Sequence, residues 1–264
     1  MMRRVFTLFS VELSKALRSP MSYIGPVLIA LLVLGVSLSQ PLSKDGLSDY
    51  AFVAYVTPLS LNLVGLILLL TYSAGLVSSE LAAGTMTTLL TRPVLRSDVL
   101  FAKILLGWLY GAALAITAAL SAWAMAYLRG DLAGVVIGGE VLYTSAEMLQ
   151  AYVVGLLLSF LPLACAVLFG IMMSVLVRGP GTAIGLCLGL WLVIDAIKYP
   201  LGIAPAVFST YLERPWLAFA NQCDGLPPPS WTPDVYWLAG TSAISAVVFA
   251  FVSILVFKRR NVSA

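Results

Sequence analysis

Six stretches of this sequence are apolar for long enough to cross a bilayer. They run from about Tyr23 to Leu38, Thr57 to Val77, Val99 to Leu128, Met148 to Val177, Thr182 to Ile197 and Val235 to Phe257. A helix rises about 1.5 Å per residue, so roughly 20 residues cover the hydrocarbon core of a membrane. In lipid, every backbone N–H and C=O must be satisfied within the protein, and helices do this within one segment. An all-α polytopic membrane protein with six spans is expected, as a single transmembrane domain over residues 1–264. The third and fourth spans are long enough to tilt or project past the bilayer. Pro162 sits mid-way along the fourth and should kink it.

Composition excludes most other classes. The chain is 61% hydrophobic and only 10% charged, against about a quarter charged in ordinary soluble domains. A disordered chain or a nucleic-acid-binding domain would need more charge. There are 0 histidines, so Ser-His, Cys-His and metalloprotease arrangements are unavailable. The 3 cysteines, Cys165, Cys187 and Cys223, form no disulfide framework or metal motif. Met172-Met173 with Cys165 and Cys187 offers soft ligands for Cu(I), but at no defined spacing. Methionine is a common gap-filler in membrane helices.

Residues 1–20 are not expected to be a signal peptide, because Glu12, Lys15 and Arg18 interrupt the apolar region. Val5, Phe9, Leu13 and Ala16/Leu17 share one helix face, which predicts an amphipathic helix lying in the membrane interface. With both termini placed inside, the inner segments hold 11 of the 15 basic residues, leaving only Lys44, Arg129, Lys198 and Arg214 outside. Both termini are therefore expected in the cytoplasm, with the chain in the cell membrane. Two outer segments are too long for turns: 129–147, which is Gly-rich, and 199–233, which is Pro-rich. Ala206 to Leu212 and Trp216 to Ala220 are predicted to be short helices there, with Trp216 and Trp231 as headgroup anchors.

The inner segment 78–98 is the most informative. Ser78 or Ser79 is a candidate N-cap, and Glu80 would suit the positive end of a short helix. Arg92-Pro93 should end that helix, and Ser97 or Asp98 should cap the next, which becomes the third span. Lys103 is expected to snorkel to the interface. A short helix joined rigidly to a membrane helix can pass on a push from a partner, although an ordinary connector would have the same pattern.

The order Glu80, Gly84-Thr85, Leu89-Leu90, Arg92-Pro93-Val94, Arg96 and then Lys103 resembles the cytoplasmic loop of ABC-2-type transporter permeases. The ending Phe257-Lys258-Arg259-Arg260-Asn261 is similar to a Phe-x-Arg-Arg-Asp tail frequent in that family, with Asn261 in place of Asp. The resemblance implies an N-terminal elbow helix, six spans and a long outer loop with short helices before the last span. It also implies a permease that exports a substrate using a separate ATPase, assembled as two permeases with two ATPases. Glu80, Gly84, Thr85, Leu89, Arg92, Pro93 and Arg96 would then form the ATPase-coupling helix. The chain has no Gly-Lys dipeptide and hence no P-loop. ATP and Mg²⁺ would belong to the partner, no cofactor would bind this chain, and the chain would not itself be an enzyme. The alternative is a non-transporting, force-transmitting subunit of the same fold. An intramembrane protease lacks the residues it needs, since only Asp195 among the aspartates is near a span.

Gly181, Gly185 and Gly189 form a small-residue series in the fifth span, and Gly107 and Gly111 a shorter one in the third. Such spacing lets membrane helices approach closely, within one chain or between two subunits. In ABC-2 permeases the first and fifth spans lie near the two-fold axis, which favours a subunit contact for the fifth-span series. Asn62, Tyr72, Asp195 and Lys198 are the polar candidates for a substrate path. The last two, at i and i+3, equally suit a simple ion pair, and Asn62 a bond to a neighbouring helix.

Overall fold

The computed structural model describes residues 2–39, 50–85, 95–130, 132, 134–137, 140–227 and 232–260. An amphipathic helix, α1 (Met2–Arg18), precedes α2 (Met21–Ser39). Next come α3 (Tyr50–Pro58), a π-helical stretch (Leu59–Gly65) and α4 (Leu66–Ala82), which run on without a break. Then follow α5 (Arg96–Arg129), the antiparallel strands β1 (Gly134–Ile137) and β2 (Glu140–Thr144), α6 (Ser145–Leu176) and α7 (Pro180–Ile197). Two 3-10 turns (Ala204–Ala206 and Phe208–Leu212) lead into α8 (Arg214–Cys223) and α9 (Thr232–Arg259).

Among the described residues, six helices are long and apolar enough to span a membrane: α2, the α3–α4 run, α5, α6, α7 and α9. The chain is an all-α polytopic membrane protein, and its described residues include a small hairpin in a segment expected only to be a long loop. The second span begins at Tyr50 rather than near Thr57. Pro58 has no N–H to donate, and the ladder widens into the π stretch directly after it. Pro162 lies inside α6, which continues as one helix from Ser145 to Leu176. The Thr144/Glu147 capping box starts α6: Thr144 N–H donates to Glu147 Oε2 at 2.8 Å, and Glu147 N–H to Thr144 Oγ1 at 3.3 Å.

Burial divides the spans in two groups. In the α3–α4 run, α5 and α6, 56%, 61% and 61% of the most apolar window is buried; in α2, α7 and α9 the shares are 22%, 17% and 22%. The first three form the core, and α6 packs against α4, α5, α7 and α9. In lipid there is no hydrophobic drive between helices, so close packing and hydrogen bonds must join them. Gly170 of α6 meets Ser73 and Ala74 of α4, and Gly107 of α5 meets Val167 of α6. Ser174 Oγ accepts the backbone N–H groups of Val77 and Ser78 at 3.0 and 2.8 Å. At the end of the bundle beyond β1 and β2, Tyr50, Trp123, Tyr152, Trp216 and Phe219 form one aromatic cluster. Thr57 and Tyr152 share a hydrogen bond of 3.0 Å within it. Trp216 is thus a core residue at 2% exposure, not a headgroup anchor. Its helix packs on α3 and α6, which come from remote sequence that no local pattern displays.

Candidate functional site at the base of the bundle

The opposite end, here the base, gathers α1, the end of α4, the start of α5, the α6–α7 junction and the end of α9. Four charged side chains close into an alternating ring there. Lys15 Nζ lies 2.8 Å from Glu12 Oε1, and Glu12 Oε2 lies 3.0 Å from Lys103 Nζ. Lys103 Nζ lies 3.0 Å from Glu80 Oε2, and Glu80 Oε1 closes the ring at 3.2 Å from Lys15 Nζ. Lys103 is 1% exposed, Glu12 7%, Glu80 17% and Lys15 50%. Two carboxylates and two ammonium groups leave the ring neutral, which lets it stay buried. Burial pushes the Glu12 carboxyl up, but Lys103 and Lys15 outweigh it and hold the group below its ordinary value of 4.5. Burial pushes Lys15 down, and Glu12 and Glu80 outweigh that, raising it above 10.5.

Three expectations are corrected at the base. Glu80 does not open a short helix. It lies in the last turn of α4, which is capped at Ala83, with Gly84 in the left-handed region at φ +69°. A carboxylate at the negative end of a helix is disfavoured on its own, so the two lysines are what make it tenable there. Lys103 does not snorkel; it is held between two carboxylates. The cap of α5 falls on Leu95, with extended backbone and no side-chain bond, rather than on Ser97 or Asp98. Asp98 is fully buried at the third helical position.

Of the remaining coupling residues, Thr85 Oγ1 donates to the Glu80 carbonyl at 3.4 Å, while Leu89, Arg92 and Pro93 lie outside the described residues. Arg96 does not face the ring. Its guanidinium donates to the carbonyls of Phe257, Lys258 and Arg260 at 3.1, 3.2 and 2.6 Å, closing the end of α9. Arg260 in turn donates to the Val175 carbonyl at the end of α6.

A cavity of about 450 Å³ rises from the ring between α1, α2, α4, α5 and α7. Tyr72 and Tyr110 line it, stacked with centroids 4.0 Å apart. Gly25 makes room for Tyr110, whose hydroxyl would lie 2.1 Å from a Cβ at that position. A second cavity of about 560 Å³ lies at the far end, between α6, α8 and α9. The four substrate-path candidates are not brought together. Tyr72 lines the base cavity, whereas Asn62, Asp195 and Lys198 line neither. Asn62 is half-buried in the π stretch, and no described residue bonds its Oδ1. Asp195 and Lys198 pair at 2.6 Å, and Ser209 adds a bond to Asp195 at 2.8 Å.

Gly107 and Gly111 pack inside the chain, against Val167 and Leu69. Gly181, Gly185 and Gly189 do not: a Cβ at each would meet nothing within 4 Å. Packing within one chain is thereby excluded for the fifth-span series among the described residues.

Sequence reasoning singled out Glu80 but passed over Glu12 and Lys15. The signal was there: Glu12 lies three after Phe9 and four before Ala16, on the apolar face of α1. A carboxylate on that face of an interfacial helix calls for a buried cation.

A family model described as ABC-2 family transporter protein matches residues 8–212, a stretch that contains the whole ring. The chain belongs to the ABC-2 transporter family. No curated protein matches it. Family membership makes this ABC-2 chain a multi-pass membrane subunit with a permease role in an ABC transporter, and it implies an ABC ATPase as partner.

Proposed function

We propose that this ABC-2 permease exports its substrate from the cytoplasmic side, as a pair of permeases driven by two copies of a separate ATPase, with Mg²⁺ and ATP bound on the ATPase. The observation that carries the reading is the charged ring. The segment between Glu80 and Arg96 is the coupling element, and Glu80 and Lys103 stand on its two sides, tied to each other and to α1. A push on the segment therefore moves α1, α4 and α5 together. Docking needs an inward-facing base, and the basic residues collect there.

The test is ATPase activity of the reconstituted complex, read beside the amount of ATPase retained on the purified permease. Arg92→Ala should lower retention about 10-fold, the equivalent of about 1.4 kcal/mol. Lys15→Gln should leave retention unchanged and lower substrate stimulation, because the ring is opened at its most exposed member. Wild-type retention and stimulation in both variants would reduce the segment to a connector.

We assign the second permease to α7, the least buried of the spans and the carrier of the open Gly181, Gly185 and Gly189 series. Gly185→Leu should turn dimers into monomers on light scattering in detergent, with the fold of each chain intact. Dimers that persist would assign this face to lipid.

A further inference from the structure

We infer that the base cavity binds a phospholipid of the adjoining leaflet, with an anionic phosphate head at the ring and one acyl chain running inward to the tyrosine pair. The cavity is charged at one end and mostly apolar along its depth, with Ser22 and Thr71 among the lining residues. Lys15 is the ring member open to solvent, with half of its side chain exposed, whereas both carboxylates are largely covered. Ser19 stands at the same end, whereas the Ser79 hydroxyl already donates to the Gly75 carbonyl at 2.6 Å. What a headgroup meets at the mouth is therefore one ammonium and the Ser19 hydroxyl, which suit a phosphodiester oxygen. Arg18, exposed one residue before Ser19, adds a second positive charge in the last turn of α1.

Deeper in, Leu68, Leu76 and Ile184 line the walls. Tyr110 lies seven residues beyond Lys103 on α5, about 10 Å along the helix axis. That depth admits the first part of one chain. A volume of about 450 Å³ falls within the roughly 300–1,000 Å³ of small-ligand sites. It is too small for a whole diacyl lipid, and the remaining chain has a surface to follow: Val27, Leu28 and Leu31 on α2 are 54%, 44% and 56% exposed. The aqueous alternative, a free phosphate compound, would need the ring but not the apolar walls. Naming the leaflet as cytoplasmic rests on the orientation proposed above; binding itself does not.

Gly75 gives a clean test. It lines the cavity on α4, and a Cβ there meets nothing within 4 Å, so a larger side chain starts into open space. The permease is exchanged into detergent with equal phosphatidylglycerol and phosphatidylcholine, and retained lipid is counted by native mass spectrometry. Wild type should keep one phospholipid per chain, with phosphatidylglycerol favoured about 10-fold. Gly75→Leu should lose the bound lipid about 10-fold at unchanged thermal stability, and Lys15→Gln should keep a lipid without the preference. Excess glycerol phosphate should not displace it. Lipid retained equally by Gly75→Leu, no preference in wild type, or displacement by glycerol phosphate would each overturn the proposal. These readouts are separate from ATPase stimulation, so loss of the lipid site leaves the coupling reading standing, and the reverse.

Discussion

Lys103→Met is expected to destabilise the permease by about 3–5 kcal/mol, the usual cost of removing one partner from a buried ion pair. Lys103 touches both Glu12 and Glu80 and is 1% exposed, so its loss leaves two covered carboxylates with only Lys15 between them. The thermal midpoint in detergent should fall accordingly, and a midpoint equal to wild type would remove the ring from the stability of the base. The triple variant Lys103→Met, Glu12→Gln, Glu80→Gln should recover most of the loss, because no uncompensated charge remains buried. The pH dependence supplies an independent sign. In wild type, Glu12 sits below its ordinary 4.5, so its contribution is present above that value and is lost as pH falls through the lower folded value. Lys15 sits above 10.5, so its contribution is present below that value and is lost as pH rises through the higher one. Across the neutral range both are intact. In Lys103→Met the main cation opposing the effect of burial on Glu12 is gone. The Glu12 carboxyl should then move upward, and acidification toward pH 5 should narrow the gap to wild type. A gap that widens on acidification would contradict the assigned geometry.

Gly170→Val is expected to lower the folded yield of the permease sharply. A Cβ at Gly170 would lie 1.9 Å from Ser73 Oγ, 2.8 Å from Ser73 Cβ and 3.2 Å from the Ala74 backbone nitrogen. Rotating the serine relieves only the first contact, so α4 and α6 must separate. Overpacking in a close core typically costs about 1–3 kcal/mol. Here separation also strains the bonds from Val77 and Ser78 to Ser174, one turn along α6. Membrane helices have little else to hold them together. The measure is the monodisperse fraction on size exclusion after extraction, with Gly185→Leu as the control that stays folded. A monodisperse Gly170→Val with a wild-type midpoint would show that the α4–α6 contact tolerates separation.

Gly170 and Gly185 are the same residue type in similar apolar surroundings, and nothing local tells them apart. Their neighbours do: α6 crosses α4 at Gly170, while α7 leaves Gly185 open. The sequence therefore signalled close approach at the Gly181 series, but could not tell a contact within the chain from a face left free. Glu80 and Lys103 illustrate the same limit. Their order along the chain pointed to the family, yet local helix rules placed Glu80 at a helix start and sent Lys103 toward water. Instead α4 runs on past Glu80, and α1 brings Lys15 and Glu12 from a remote part of the sequence to pair with Glu80 and Lys103.

What the sequence determined alone was what the bilayer dictates: six apolar helices, an amphipathic helix before them and the family. Each follows from the solvent a segment must face, and that is written residue by residue in hydropathy. Tertiary structure decided which charges neutralise one another, which glycines are closed upon and where a cavity remains. Those depend on distances between segments far apart in the chain, and the periodicity of a helix carries no record of its neighbours.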